Sequence, residues 1–345
     1  MSPFPALIRS SSPSGESRYC LGDPLVDSYL EFVGGRCRAT TLRAVAFDLK
    51  TFFSVVHKAP ADVVAADVFD FLAHQRGDRT VVRITDGESG LSARTIARRV
   101  SSISGLYSYL VARGDVRANP VPRGLPTRRR GGRGHLVSLV RVPKTLPTVL
   151  SPDEVEALVL SLRTHRDRAM VFAMLLGGLR RCEVLGLRLS DVQVAERSLF
   201  VADGKGGRQR VVPVSNPFFV EVGHYLRAER PKTETDRVFV TLKGPTRGQP
   251  LSTDGIDIVL RSARTRAGLE RATCHQLRHT CLTRLREAGM ALEAVQAQAG
   301  HASLESTRVY LHLTNDWLAA EYHKAAEQID AAAAAELVAI QEVAQ

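Results

Sequence analysis

Imidazole, guanidinium and phenol groups fall at short intervals between positions 275 and 310. The run reads His275-Gln276-Leu277-Arg278-His279-Thr280, then Gly300-His301, then Tyr310. Each group has a defined capacity. An imidazole takes or gives a proton near neutral pH. A guanidinium is a permanent cation whose fork of N–H donors matches the oxygens of a phosphate. A phenol is a latent nucleophile that needs a base to take its proton.

Two short helices must position these groups. Leu277, Cys281, Leu282 and Leu285 recur at helical spacing, which predicts an amphipathic helix over 275–287. His275 and Arg278 are three apart and therefore share a face of it. Gly289 supplies a stop, Met290 to Ala299 makes a second helix, and Gly300 ends that one. His301 is thus expected in a turn just past a helix end, with Tyr310 about two to three turns further on.

The order His-x-x-Arg, Gly-His, then a tyrosine nine residues after that histidine resembles the C-terminal half of the tyrosine recombinase (phage integrase) family. That resemblance implies two more residues upstream: an arginine after a Gly-Leu pair and a lysine on a β-hairpin. Gly178-Leu179-Arg180-Arg181-Cys182-Glu183 contains the first. Arg180 aligns with the family's first catalytic arginine and Glu183 with its supporting carboxylate. Leu179 before and Glu183 after favour Arg180 over Arg181. Two departures stand beside it, Gly177 for the usual threonine and Cys182 for the serine, and neither removes a catalytic group. Ser198–Ala202 and Arg210–Val214 are short β-like runs joined by Asp203-Gly204-Lys205-Gly206-Gly207, a hairpin signal with Lys205 at its tip. In the family, the lysine of a Gly-Lys-Gly turn enters the minor groove beside the scissile phosphate. The resemblance covers about residues 20 to 330.

A phosphodiester carries a full negative charge, and attack adds charge to its equatorial oxygens. Fixed positive donors around that centre are what such a reaction needs, and Arg180 and Arg278 suit the task. Tyr310 is the candidate nucleophile, forming a phosphotyrosine that conserves the bond energy. Lys205 is the candidate general acid for the leaving oxygen. His275 is placed to accept the phenol proton and His301 to hydrogen-bond a non-bridging oxygen, while His279 reads as structural. No phosphate-binding GxxxxGK[ST] loop occurs, so no nucleotide is expected. His275 and His279 have the spacing of a zinc-protease helix, but that motif needs Glu where Gln276 stands. Carboxylate clusters for a two-metal nuclease are not evident either. The expected site therefore holds neither metal nor cofactor. A type IB topoisomerase would share the phosphotyrosine chemistry without synapsis, and a binding-only relative is the non-enzyme alternative.

The rest of the chain is read from composition. Its 345 residues suffice for two domains. A formal net charge of +11, carried mostly by arginine, indicates a polyanionic partner, here double-stranded DNA. The five cysteines are odd in number and lack CxxC spacing, as in a reduced, cytoplasmic protein. No run of about twenty apolar residues points to a membrane span. Five segments follow: a Ser- and Pro-rich disordered start (1–18), a helical domain (19–118), a basic linker (119–147), a second domain (148–330) and an Ala-rich tail helix (331–345). The fold class expected is mainly α with a small β-sheet (α+β). The resemblance implies a SAM-like helical core-binding domain that clamps DNA, a mixed α/β catalytic domain, and a tail exchanged between neighbours in a tetrameric synapse on nucleoid DNA. Arg94, Arg98 and Arg99 on the fourth helix, and Arg128, Arg129 and Arg130 in the linker, are candidate phosphate contacts.

Overall fold

The computed structural model describes residues 4–11, 17–77, 90–126, 136–143, 148–204 and 209–300. They fall into two compact units, Met1–Lys144 and Thr145–Gln345. The architecture is mainly helical with small antiparallel sheets. No helix among the described residues is long and apolar enough to cross a membrane.

The first unit opens on a hairpin in which β1 (Ile8–Ser11) pairs with β2 (Ser17–Cys20), Ile8 opposite Cys20. Of the stretch 1–18 expected to be disordered, the described residues 8–11 and 17–18 are thus paired strands. The Ser-Pro composition hides apolar anchors: the Phe4 ring packs tilted against Phe53 with centroids 4.9 Å apart, and Leu7 and Tyr19 pack on the same core. Four helices follow, α1 (Pro24–Arg36), α2 (Ala39–Val56), α3 (Ala65–Gly77) and α4 (Ala93–Arg113). Local chemistry sets their ends. Asp23 accepts from the Leu25 and Val26 amides with Pro24 at the first helical position, Ser92 accepts from Thr95, and Gly114 closes α4 at φ 86°. Leu49, Phe52, Phe53, Phe71, Ile103 and Leu106 are fully buried between them, each side chain contributing roughly 1.5–3 kcal/mol by leaving water. A short ladder of β3 (Leu125–Pro126) with β4 (Leu136–Val137) completes the unit. The described ends of the expected tether pack rather than hang free. Asn119 Nδ2 donates to Ser104 O and Ser108 Oγ, Val121 joins the helical core, and Val140 packs with Leu72 and Ile96.

The second unit is built around α6 (His165–Leu175), whose Ala169, Met170, Ala173 and Met174 have no exposure. Ahead of it, α5 (Pro152–Ser161) opens on a complete capping box between Ser151 and Glu154. Beyond it come α7 (Arg181–Gly186) and a sheet of order β5-β6-β7, made of Val192–Gln193, Ser198–Val201 and Arg210–Pro213. Leu199 faces Val212 and Val201 faces Arg210 across the hairpin. The chain then makes α8 (Asn216–His224), α9 (Thr253–Arg266), α10 (Cys274–Glu287) and α11 (Leu292–Ala299). Val238–Leu242 lies outside this sheet, and an isolated bridge links Val240 to Pro250. Its backbone is paired all the same: Val238 N donates to Leu187 O, Leu251 N to Phe239 O and Thr241 N to Gln249 O, and side chains take what is left. Tyr225 Oη donates to Val238 O and accepts from Val240 N, while Arg166 donates to Val240 O.

Candidate active site

The turn after α6 aims the first candidate arginine. Gly178 sits at φ 67°, in the left-handed region glycine adopts without strain. A Cβ on Gly177 would lie 2.9 Å from Ala173 O, so the threonine expected there has no room. With the turn closed by Gly178 N to Met174 O and Leu179 N to Ala173 O, Leu179 is buried and Arg180 stands at the N-cap of α7. Glu183, one turn on, accepts the Arg180 backbone N–H at 2.8 Å.

Glu183 is the centre of the site. Its side chain has 0% exposure, and three guanidinium groups surround it. Arg180 Nη1 donates to Oε1 at 2.8 Å. Arg210, from the first position of β7, makes a two-pronged contact at 3.0 and 2.8 Å. Arg278, on the second turn of α10 and 4% exposed, brings Nη1 within 4.0 Å. Burial would raise the carboxyl's pKa, but the Arg210 hydrogen bonds, the Arg180 amide and the surrounding charge hold it at about 2. Three cations against one carboxylate leave a surplus of two positive charges in a largely dehydrated place, an environment that favours an incoming anion.

These forks are also held by backbone. Arg278 donates to Gly178 O and, at 2.6 Å, to Ala299 O; Arg180 Nη2 reaches Gly300 O at 3.3 Å. Such contacts fix the guanidinium planes before any substrate arrives. Arg181, the alternative within the doubled arginine, instead pairs with Asp257 on α9. Cys182 is exposed, whereas Cys281 is buried beneath Gly178 and pushed up to about 12 by that burial.

His275 lies on the exposed side of α10, one turn from His279, and their Nε2 atoms are 2.7 Å apart with the rings edge to face. One of the two nitrogens must carry the shared hydrogen. Burial first, then the charge of His275 and Arg278, lowers His279 to about 4, so it is neutral at physiological pH.

The structure thus brings Arg180, Glu183 and Arg278 together and sets His275 on the helix of Arg278. Lys205, His301, Tyr310, the linker arginines Arg128, Arg129 and Arg130, and the tail lie outside the described residues. On α4, Arg94 is exposed, Arg98 pairs with the buried Asp48, and Arg99 turns inward to Gln75. Arg99 is therefore part of the packing rather than of an open basic face. Sequence reasoning did not single out Arg210. The available signal was its register: strand alternation puts it on the same face as the buried Val212, an inward position where an arginine needs a partner.

Replacing Glu183 by glutamine should destabilise the chain by about 3–5 kcal/mol at pH 7, because the arginines keep their charge and lose their counterion. Ionised Glu183 stabilises fully above the ordinary carboxylate range, and that contribution disappears as pH falls through its depressed value of about 2. The gap in urea midpoints between wild type and variant should therefore be narrower at pH 3 than at pH 7. Equal midpoints at pH 7 would show the carboxylate to be dispensable.

Comparison with known proteins follows the same lines. The phage integrase family model matches residues 148–316. Tyrosine recombinase XerC of Anoxybacillus flavithermus is 33% identical over 239 residues, 66% of this chain and 74% of its own length. Tyrosine recombinase XerD of Lacticaseibacillus casei is 29% identical over 309 residues, 86% of this chain and 95% of XerD. Among solved structures, the Tn1549 transposon integrase in complex with transposon right end DNA shares the fold. It superposes with a TM-score of 0.65 at 17% identity over 88% of this chain and 99% of that one.

Proposed function

The chain belongs to the phage integrase family of tyrosine recombinases, and we propose that Tyr310 is the residue through which it breaks and rejoins DNA. It is a site-specific DNA recombinase, an enzyme that acts on double-stranded DNA. In the proposed reaction the phenol oxygen of Tyr310 attacks the scissile phosphorus while His275 takes the phenol proton. The bond to the 5′ oxygen breaks as Lys205 supplies its proton, leaving a 3′-phosphotyrosine. Attack by another strand's 5′ hydroxyl reverses these steps and frees the tyrosine, so no bond energy is lost and no ATP is needed. Arg180 and Arg278 hold the non-bridging oxygens, His301 donates to one of them, and Glu183 orients the forks.

The convergence of Arg180 and Arg278 on one buried glutamate, with positive charge in excess, carries this reading. A pair of fixed guanidiniums does for the phosphate what a divalent cation does elsewhere: it offsets the charge that develops in the transition state. In the same proposal the first unit clamps the duplex, Arg94 and Arg98 contact phosphates, and copies of the chain assemble as a tetramer on DNA in the cytoplasm.

Strand cleavage should persist in excess EDTA at an undiminished rate. A nicked duplex carrying the site, recovered from random sequence by binding to the full chain, gives the readout on a denaturing gel. Cleavage lost to EDTA and restored by magnesium would overturn the assignment of the charge-offsetting role to the arginines.

A further inference from the structure

The last three carbonyls at the end of α11 are each taken by a different arginine. Arg210 Nε donates to Gln298 O at 3.3 Å, Arg278 Nη2 to Ala299 O at 2.6 Å, and Arg180 Nη2 to Gly300 O at 3.3 Å. Carbonyls at a helix end carry partial negative charge that cations offset. The same three guanidiniums surround Glu183. Two of them have a place in the proposed chemistry, and Arg210 does not.

Geometry sets Arg210 apart. Its two Nη atoms face the two oxygens of Glu183, and its remaining nitrogen faces α11. Gly300 adopts φ 59°, and a Cβ there would sit 2.9 Å from the Arg210 Cζ and Nη1, so this backbone lies directly on the guanidinium. Gln298 ties the same turn to Gly177 O at 3.1 Å and to Pro213 O, at the far end of β7, at 3.0 Å. Arg210 therefore joins three segments distant in sequence: the hairpin strand that follows the Lys205 turn, the start of α7, and the end of α11.

Charge gives this link a consequence. If Glu183 were neutralised by Arg180 and Arg278 alone, those two forks would be drawn onto it and part of their charge would be unavailable to a substrate. With Arg210 on both carboxylate oxygens, Arg180 gives Glu183 a single side-chain hydrogen bond and Arg278 stands 4.0 Å off, so the positive charge in excess remains for a substrate. On the recombinase reading above, we propose that Arg210 is a positioning residue. It neutralises Glu183 and seats the end of α11, so that Arg180 and Arg278 present fixed forks to the scissile phosphate.

The test uses the full chain and the nicked duplex described above, following covalent adduct formation in a single turnover with protein saturating. Arg210→Ala should slow adduct formation by about 10²-fold, the loss expected when reacting groups are misplaced by about 1 Å, with duplex affinity unchanged. Arg210→Lys should recover only part of the rate, because an ammonium lacks the fork. The variant combining Arg210→Ala with Arg180→Ala should lose less than the product of the two single losses, since Arg210 acts in part through that fork. If Arg210→Ala fails to fold, the same comparison is made with Arg210→Lys. A wild-type rate in Arg210→Ala, a loss confined to affinity, or losses that multiply with Arg180→Ala overturns the inference. Absence of any adduct in the wild type overturns the recombinase reading and this inference with it.

Discussion

Tyr310→Phe is expected to bind its DNA site as the wild type does and to form no covalent protein–DNA adduct. The substitution removes one oxygen and leaves the ring, so packing and phosphate contacts persist while the attacking atom is gone. Arg180 and Arg278 would still hold the phosphodiester, but they supply charge and not a bond. The effect should thus be all or none on a denaturing gel, while gel-shift affinity at matched salt stays unchanged. An adduct at the wild-type level in Tyr310→Phe would mean that another residue attacks.

Lys205→Ala should slow cleavage by the contribution typical of a positioned acid, about 10²–10⁴-fold. An alkoxide is a poor leaving group at neutral pH, so the 5′ oxygen needs a proton as its bond to phosphorus breaks. Sulfur in that bridging position removes the need, because a thiolate leaves readily. On a bridging-sulfur duplex, Lys205→Ala should approach the wild-type rate. Arg180→Ala and Arg278→Ala should remain slow, since they act on oxygens that sulfur at the bridge does not change. Failure of the sulfur substrate to rescue Lys205→Ala would make the lysine a phosphate contact and place the acid elsewhere.

Arg210 and Lys205 illustrate two kinds of legibility. A lysine at the tip of a Gly-rich hairpin signal is visible in sequence because turn chemistry is local. An arginine five residues later, beside Val211 and Val212, gives no sign that it will meet a glutamate 27 positions back. The Glu183 contacts with Arg210 and Arg278, like the Arg180 contact to Gly300 across 120 positions, appear only when the chain has closed those loops.

Helix ends show the opposite case. Asp23-Pro24, Ser92, Ser151 with Glu154, and Gly300 mark boundaries within a residue or two of where the helices begin and stop, because a cap is an interaction between groups two or three positions apart. The order of Arg180, Lys205, His275, Arg278, His301 and Tyr310 is likewise a property of the sequence, and with it the family. Tertiary structure decided what composition does not show: the pairing of Ile8–Ser11 with Ser17–Cys20, the seating of the Val238 and Val240 backbone on Tyr225, and the inward turn of Arg99. In each, a partner distant along the chain supplies the apolar surface or hydrogen bond that the local sequence lacks, and which partner arrives is settled only by packing.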